Sequence, residues 1–184
     1  MLTHIDHVER ESLFNSAPHG TRLFPTGEWL LDTSRTTAAV SVSTFYIKRV
    51  RMEFMIEPGG SALVDDDGAL RRVEVAACTG SISSGSASRD RRLKGPNFLD
   101  VENHPTITYY GSAKTALIGG VVRAKGRESQ VSITATNASL LDDDTMTYSV
   151  RGTMGRDVLG LSNASSFFIG ADVTVEVFGI ARRA

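Results

Sequence analysis

The chain has 184 residues and a formal net charge of −1, with 20 lysines and arginines against 21 aspartates and glutamates. This balance excludes the strongly basic surface on which nucleic-acid binding depends, and no apolar run is long enough to cross a bilayer as a helix. Cys78 is the only cysteine, which excludes an intrachain disulfide. A chain of this length is typical of a single domain.

The first segment, residues 1–26, is predicted to be an N-terminal arm. Its beginning carries charges throughout, whereas a secretory signal needs an uninterrupted apolar core. We therefore expect a cytoplasmic protein. His4 and His7 could share a helical face, but two ligands make a poor metal site, and we expect no bound metal.

Most of the remaining chain alternates between apolar and polar residues with a period of two, which predicts β-strands. The turn Asp65–Gly68 lacks the spaced ligands and distal glutamate of a calcium loop, so a hairpin tip is expected there. Short strands separated by turns favour an antiparallel barrel or sandwich. The predicted strands are 28–32, 38–47, 50–56, 61–64, 70–77, 106–110, 119–125, 129–137, 145–152 and 171–181.

One stretch between these strands breaks the alternation. Ser88 is a plausible N-cap for a short charged helix that ends at Gly95, with Gly95 in the left-handed conformation that glycine accepts. The apolar residues Phe98, Leu99 and Val101 follow, and we expect Phe98 to be buried. A β-protein interrupted in this way commonly closes the end of a barrel. The irregular apolar segment 156–170 is expected to pack across a barrel mouth as well.

The same stretch carries a family resemblance. It contains Arg89-Asp90, Leu93, the block Asn97-Phe-Leu-Asp-Val-Glu102, and Pro105 at the start of a strand. This pattern resembles the signature of the YceI-like family. Further similarity lies in Trp29 with Asp32 and Ser34, in the segment 120–126 with Val131, and in Arg156 with Gly160. The chain departs from the family pattern at Thr44, Lys125, Gly155 and Leu159, which leaves the identity of a ligand open.

The resemblance implies an all-β fold, an antiparallel lipocalin-like barrel of about eight strands formed by residues 27–184, with one short helix near residues 88–95. It also implies binding of a polyisoprenoid or another long apolar lipid, without a cofactor. A homodimer is expected, because family members commonly pair and the long strands leave an apolar outer face.

No motif for an enzyme is present in the sequence. A nucleophile elbow, a zinc-protease helix, a phosphate loop and a dinucleotide fingerprint are all lacking. We therefore expect a binding protein, with transport or storage of the lipid as its role. The alternative is a lipid-modifying enzyme, an isomerase or cyclase that uses His104, Asp90 or Arg156 near the barrel mouth.

The ligand-binding residues are expected on the alternating strands and in the two segments that cover the barrel. Arg156 is a candidate for an anionic head group, because guanidinium binds phosphate or carboxylate with two hydrogen bonds. The periodicity does not decide which face points inward, and a solid core built from the same residues stays an alternative. The candidates are Phe45, Phe54, Val75, Phe98, Tyr109, Val122, Ile133, Tyr148, Arg156, Leu159 and Val175.

Overall fold

The computed structural model describes residues 24–44, 48–161 and 170–184. Within these ranges the chain forms ten β-strands and one α-helix, α1 (Ala87–Lys94). The strands are β1 (Gly27–Leu31), β2 (Thr37–Thr44), β3 (Lys48–Phe54), β4 (Ser61–Val64), β5 (Leu70–Cys78), β6 (Thr106–Ala113), β7 (Leu117–Ala124), β8 (Arg127–Leu140), β9 (Thr145–Gly155) and β10 (Asp172–Arg183).

The strands form one closed antiparallel wall. β5 to β10 follow one another in order, and β10 then pairs with both β1 and β2. β4 pairs with β1 and β5, while β3 pairs with β2. β1 and β2 therefore lie end to end as two parts of one strand of the wall, and β3 and β4 do the same. The wall therefore has eight positions, and the predicted barrel with a short helix is confirmed.

The break between β1 and β2 has a local cause at Asp32. Its carboxylate accepts hydrogen bonds from the Ser34 amide at 3.1 Å and from Nε of Arg35 at 2.9 Å. These bonds hold the 3₁₀ turn Thr33–Arg35, which inserts extra residues before the strand resumes along β10. The hydrogen bond from the Ser34 amide to the Asp32 side chain thus replaces a strand-to-strand hydrogen bond at this point.

Each predicted strand has a counterpart in the described ranges, with β6, β8 and β9 longer than expected. Residues 45–47 of the predicted strand 38–47 lie outside the described residues. The start of the helix differs from the prediction, because Ser86 and not Ser88 occupies the N-cap position. Gly95 was also predicted wrongly, since its φ of −70° lies outside the left-handed region. The left-handed residue of this segment is Asp100, with a φ of 51°.

The barrel has two distinct ends. The turns 65–69 and 141–144 lie at the end where β1 begins and β10 finishes, which we call the Trp29 end. The turn between β7 and β8 lies at the opposite end and contacts the segment after α1, so we call this the helix end. Lys125 and Gly126 form this two-residue turn with φ values of 48° and 71°, as a type I′ hairpin requires.

Candidate functional site

The inward side chains of the barrel surround an apolar cavity of about 190 Å³. The described residues present only apolar surface to it. In other proteins, cavities of about 150 Å³ lined by leucine, isoleucine and phenylalanine stay dry and take up small apolar molecules. The barrel is therefore hollow, and its interior favours hydrocarbon over water.

Eight of the eleven residues predicted from the sequence lie along this cavity. Phe98 and Arg156 are not among the lining residues, and Phe45 lies outside the described part of the chain. Contact of any of these side chains with a ligand stays a prediction. The eight are Phe54, Val75, Tyr109, Val122, Ile133, Tyr148, Leu159 and Val175.

Phe98 was expected to be buried, but it is only partly buried where it packs against the core. Leu99 is only 4% exposed and lines the cavity, whereas Phe98 is half-buried outside it. The Leu99 amide donates to the Leu93 carbonyl at 3.0 Å, which turns the chain so that Leu99 points inward. The Phe98 ring instead lies beneath Arg92, whose Cζ is 5.5 Å from the ring centroid.

Arg156 belongs to the 3₁₀ turn Arg156–Leu159 that follows β9. Its amide donates to the Ala171 carbonyl at 2.9 Å, and its own carbonyl accepts from the Leu161 amide at 3.1 Å. This backbone arrangement places Leu159 and Leu161, both buried, against the cavity. Residues 162–169 of the segment 156–170, which was expected to pack across the mouth, lie outside the described residues, and they include Phe167 and Phe168.

Several lining residues were not among those predicted. Phe24 is 7% exposed and lines the cavity, although it precedes β1 and belongs to the segment predicted as an arm. Met52 and Met154 also line it. Met52 lies on the same strand face as Phe54, and Met154 on the same face as Tyr148. The alternation along these strands would therefore have predicted both methionines.

The hollow interior depends on how the Tyr109 ring lies against the wall. A Cβ atom added at Gly120 would be 2.7 Å from Cε2 and Cζ of Tyr109, and one at Gly111 would be 2.5 Å from its hydroxyl. The ring therefore occupies the surface that these two glycines leave free. Its hydroxyl donates to the Ile118 carbonyl at 3.3 Å, which holds the ring flat against the wall.

Two tyrosines are the ionisable residues among the described lining. Burial raises the pKa of Tyr109 to about 12 and that of Tyr148 to about 12. The Tyr148 hydroxyl lies 3.1 Å from Oγ1 of the buried Thr36, so it is hydrogen-bonded within the wall. Both side chains are neutral at ordinary pH, and neither brings a charge to the cavity.

The Trp29 end of the barrel is closed by side chains. Trp29 is 0% exposed, and its indole Nε1 donates to the Pro25 carbonyl at 2.9 Å. Arg183 lies over the ring and donates to the Thr26 and Asp143 carbonyls, each at 3.1 Å. These bonds tie the chain entering β1 to the turn between β8 and β9, and the tied segments cover this end of the barrel.

The helix end is covered by α1 and by irregular segments, and not by strands. Five buried side chains from these segments line the cavity: Ile82, Leu93, Leu99, Leu159 and Leu161. Lys125 connects the two halves of this cover. Its Nζ donates to the Phe98 carbonyl at 2.7 Å and to the Pro96 carbonyl at 3.3 Å, while its methylene stem passes against Gly160.

The three residues considered for catalysis lie apart from the cavity lining. His104 is near Asp100, with 3.9 Å between Nε2 and Oδ2, and the carboxylate of Asp90 accepts the Ser84 amide at 2.9 Å. Asp90 thus holds the loop before α1.

Across the described ranges, no three His, Cys, Asp or Glu side chains group closely enough to hold a metal ion. The described part of the chain contains no helix with the length and apolarity needed to span a membrane.

Solved structures with the same architecture come from several bacteria. BcnA of Burkholderia cenocepacia shares 12% identity with a TM-score of 0.69, over 82% of this chain and 98% of that one. A polyisoprenoid binding domain from Saccharophagus degradans shares 11% identity with a TM-score of 0.67, over 85% and 98%. The Campylobacter jejuni YCEI protein shares 15% identity with a TM-score of 0.61, over 75% and 87%.

At these identities the structural similarity shows the fold alone. No curated protein sequence matches the chain significantly. The model of the YceI-like domain matches residues 29–179, which span the barrel from β1 into β10. This match covers well over half of the chain, and the chain therefore belongs to the YceI-like domain family.

Proposed function

We propose that the barrel binds a long-chain apolar lipid in its interior and carries or stores it. The observation that carries this proposal is the apolar cavity of about 190 Å³ inside a closed wall. Burial of a hydrocarbon chain there contributes about 0.8 kcal/mol per methylene, so affinity requires no charged group. Polyisoprenoids, isoprenoid quinones and fatty-acyl lipids all contain a hydrocarbon chain of this kind. The polyisoprenoid binding domain among the structural relatives supports the first of these.

The architecture of the two ends supports entry at the helix end. Arg183 and Trp29 seal the opposite end with a stacked pair and three hydrogen bonds to backbone carbonyls. The helix end is covered by short irregular segments, and Lys125 connects them through two hydrogen bonds. Segments of this kind open at a lower free energy than a closed strand ladder.

The chemistry of the lining supports binding more than turnover. A general acid or base works best with a pKa near the operating pH. The ionisable lining residues in the described ranges are Tyr109 and Tyr148, whose pKa values of about 12 are far above neutrality. Incubation of a bound lipid followed by mass spectrometry separates the two functions. A binding protein returns the lipid unchanged, and a new product would favour the isomerase or cyclase alternative.

The first test of binding is mass spectrometry of an organic extract of the purified protein, which should contain a long-chain lipid.

The second test of binding compares variants of two valines on β7. Val122 is 5% exposed and lines the cavity, whereas its neighbour Val121 is half-buried and does not. Val122→Phe should reduce binding of a fluorescent acyl chain by tenfold or more, about 1.4 kcal/mol, while Val121→Phe leaves it unchanged. Equal affinities for both variants, or an empty extract with no acyl-chain binding, would contradict the proposal.

We also propose that the barrel forms a homodimer. Leu30 of β1 and Leu63 of β4 are 47% and 38% exposed on adjoining strands of the outer wall. A second copy that packs on this wall would remove their apolar surface from water. Light scattering at high micromolar concentration measures the mass directly, and a monomer mass would contradict the dimer.

A further inference from the structure

The helix α1 presents a basic face to solvent at the covered end of the barrel. Arg91 and Arg92 are exposed, while Leu93 on the opposite face is buried against the cavity. Lys94 follows at the end of the helix. No salt bridge to Arg91, Arg92 or Lys94 occurs within the described part of the chain. Arg92 contacts the Phe98 ring, but this contact does not neutralise its charge, so all three side chains contribute positive charge at this surface.

The acidic side chains near this face are mostly engaged in local structure. Asp90 accepts the Ser84 amide at 2.9 Å, and Asp100 accepts Nδ2 of Asn103 at 3.0 Å. Glu102 is the exposed carboxylate of the segment that follows the helix. The face formed by Arg91, Arg92 and Lys94 thus has a positive excess.

The opposite end of the barrel carries the densest acidic turns of the described chain, beside several arginines. Both aspartate triplets of the sequence lie in turns at the Trp29 end, since turns 65–69 and 141–144 each adjoin the strand ends that Trp29 closes. Asp66, Asp67, Asp142 and Asp143 are exposed there. Arg71 pairs with Asp65 and Arg183 lies near Asp144 at this end, so opposite charges partly compensate there. The basic face of α1 has no such ion pair among the described residues, and it is the surface that attracts a negatively charged partner.

We propose that the protein docks on an anionic lipid bilayer through the basic face of α1, with the helix end against the membrane and the Trp29 end away from it. Basic residues gain free energy beside a negatively charged membrane surface, and the aspartate turns are repelled by it. Docking in this orientation brings the cover of the cavity, including Leu93 and Leu99, to the bilayer. The surface is distinct from the cavity, so its test does not depend on a bound lipid.

The experiment measures co-flotation with vesicles of phosphatidylcholine, alone or mixed with phosphatidylglycerol, at low and high salt. The wild type should bind the mixed vesicles at low salt, bind the neutral vesicles poorly and dissociate at high salt. The double variant Arg91→Gln/Arg92→Gln should bind about thirtyfold more weakly, because each cation near an anionic membrane contributes about a factor of five. The matched control is Arg71→Gln/Arg72→Gln, which removes the same charge from two exposed residues of β5 at the Trp29 end. It should bind as the wild type does.

Orientation has its own readout, because Trp29 is the only tryptophan of the chain and lies at the end expected to face away. Brominated phosphatidylglycerol in the vesicles should leave Trp29 fluorescence unquenched. Equal weakening by both double variants, quenching of Trp29, or no binding to mixed vesicles at low salt would each overturn the proposal. Retention on heparin without vesicle binding would overturn it too, in favour of a soluble polyanion. Unchanged melting temperatures confirm that the variants are folded.

Discussion

The Cζ atom of Arg183 lies 4.7 Å from the centroid of the Trp29 ring, at the end of the barrel where β1 begins and β10 finishes. The contact joins the two ends of the described wall, since β1 and β10 also pair as neighbouring strands. Arg183 and Trp29 thus join the strands that complete the barrel, both through the ladder and through their side chains.

Replacement of Arg183 by alanine should lower the free energy of unfolding by about 1–3 kcal/mol. The change removes a cation–π contact and two hydrogen bonds to carbonyls of separate segments. Denaturant melts measure the effect. Arg182→Ala is the matched control and should change stability far less, because the Arg182 side chain is 62% exposed in its ion pair with Asp32. Similar losses for the two variants would show that Arg183 does not act as a closure.

Gly120 and Gly119 should respond differently to alanine. A Cβ atom at Gly120 would clash with the Tyr110 carbonyl oxygen and meet the Tyr109 ring at 2.7 Å, whereas one at Gly119 has no heavy atom within 4 Å. Gly120→Ala should cost about 1–3 kcal/mol of stability, as overpacking of a filled position does. Gly119→Ala should cost nothing measurable or stabilise the strand slightly. Equal melting curves for the two variants would contradict the close packing of the Tyr110 carbonyl and the Tyr109 ring on Gly120.

Lys125→Met should loosen the cover at the helix end. Methionine keeps the apolar stem against Gly160 but loses the hydrogen bonds to the Pro96 and Phe98 carbonyls. Amide hydrogen exchange should then speed up at Leu99 and His104, whose amides are bonded within this segment. Lys114→Met, in the turn between β6 and β7, is the control and should leave these amides unchanged. A lack of difference between the two variants would contradict a connecting role for Lys125.

Asp32 should make the stability of the barrel sensitive to acid. Hydrogen bonds from Ser34 and Arg35 lower the pKa of Asp32 from 3.8 to about 2. Because the folded-state pKa is depressed, the carboxylate stabilises the folded protein above pH 3.8, and this contribution is lost as the pH falls toward 2.

Thermal melts between pH 4 and pH 2 test this expectation. The melting temperature of Asp32→Asn should fall less steeply than that of the wild type, and Asp32→Asn should be the less stable of the two at neutral pH. Asp66→Asn, in an exposed turn, should follow the wild-type curve. Parallel curves for all three proteins would show that Asp32 does not contribute in this range.

The sequence by itself determined the strands, because a strand with one buried face must alternate. Val173, Val175 and Val177 on one face of β10 illustrate this, since all three pack in or against the core. The same alternation leads from Phe54 to Met52 on β3. The sequence also determined several turns, because their hydrogen bonds and backbone angles involve only neighbouring residues. Examples are Lys125-Gly126 and the acidic turn that begins at Asp65.

Only the tertiary structure decided which residues meet across the barrel. Arg183 and Trp29 are distant in the sequence, and their contact requires closure of the wall. Phe98 and Leu99 are equally apolar neighbours, and the hydrogen bond from the Leu99 amide to the Leu93 carbonyl selects Leu99 for the interior. The alternation of apolar and polar residues does not predict which of the two points inward. The orientation depends on the left-handed conformation of Asp100 and on the path of the chain that follows.

The existence of the cavity was decided in the same way. A sum of side-chain sizes does not distinguish a filled barrel from a hollow one. Gly111 and Gly120 lie on neighbouring strands paired in register, and together they let the Tyr109 ring lie against the wall instead of across the interior. The space that remains is a property of packing between strands, which no single segment of the sequence contains.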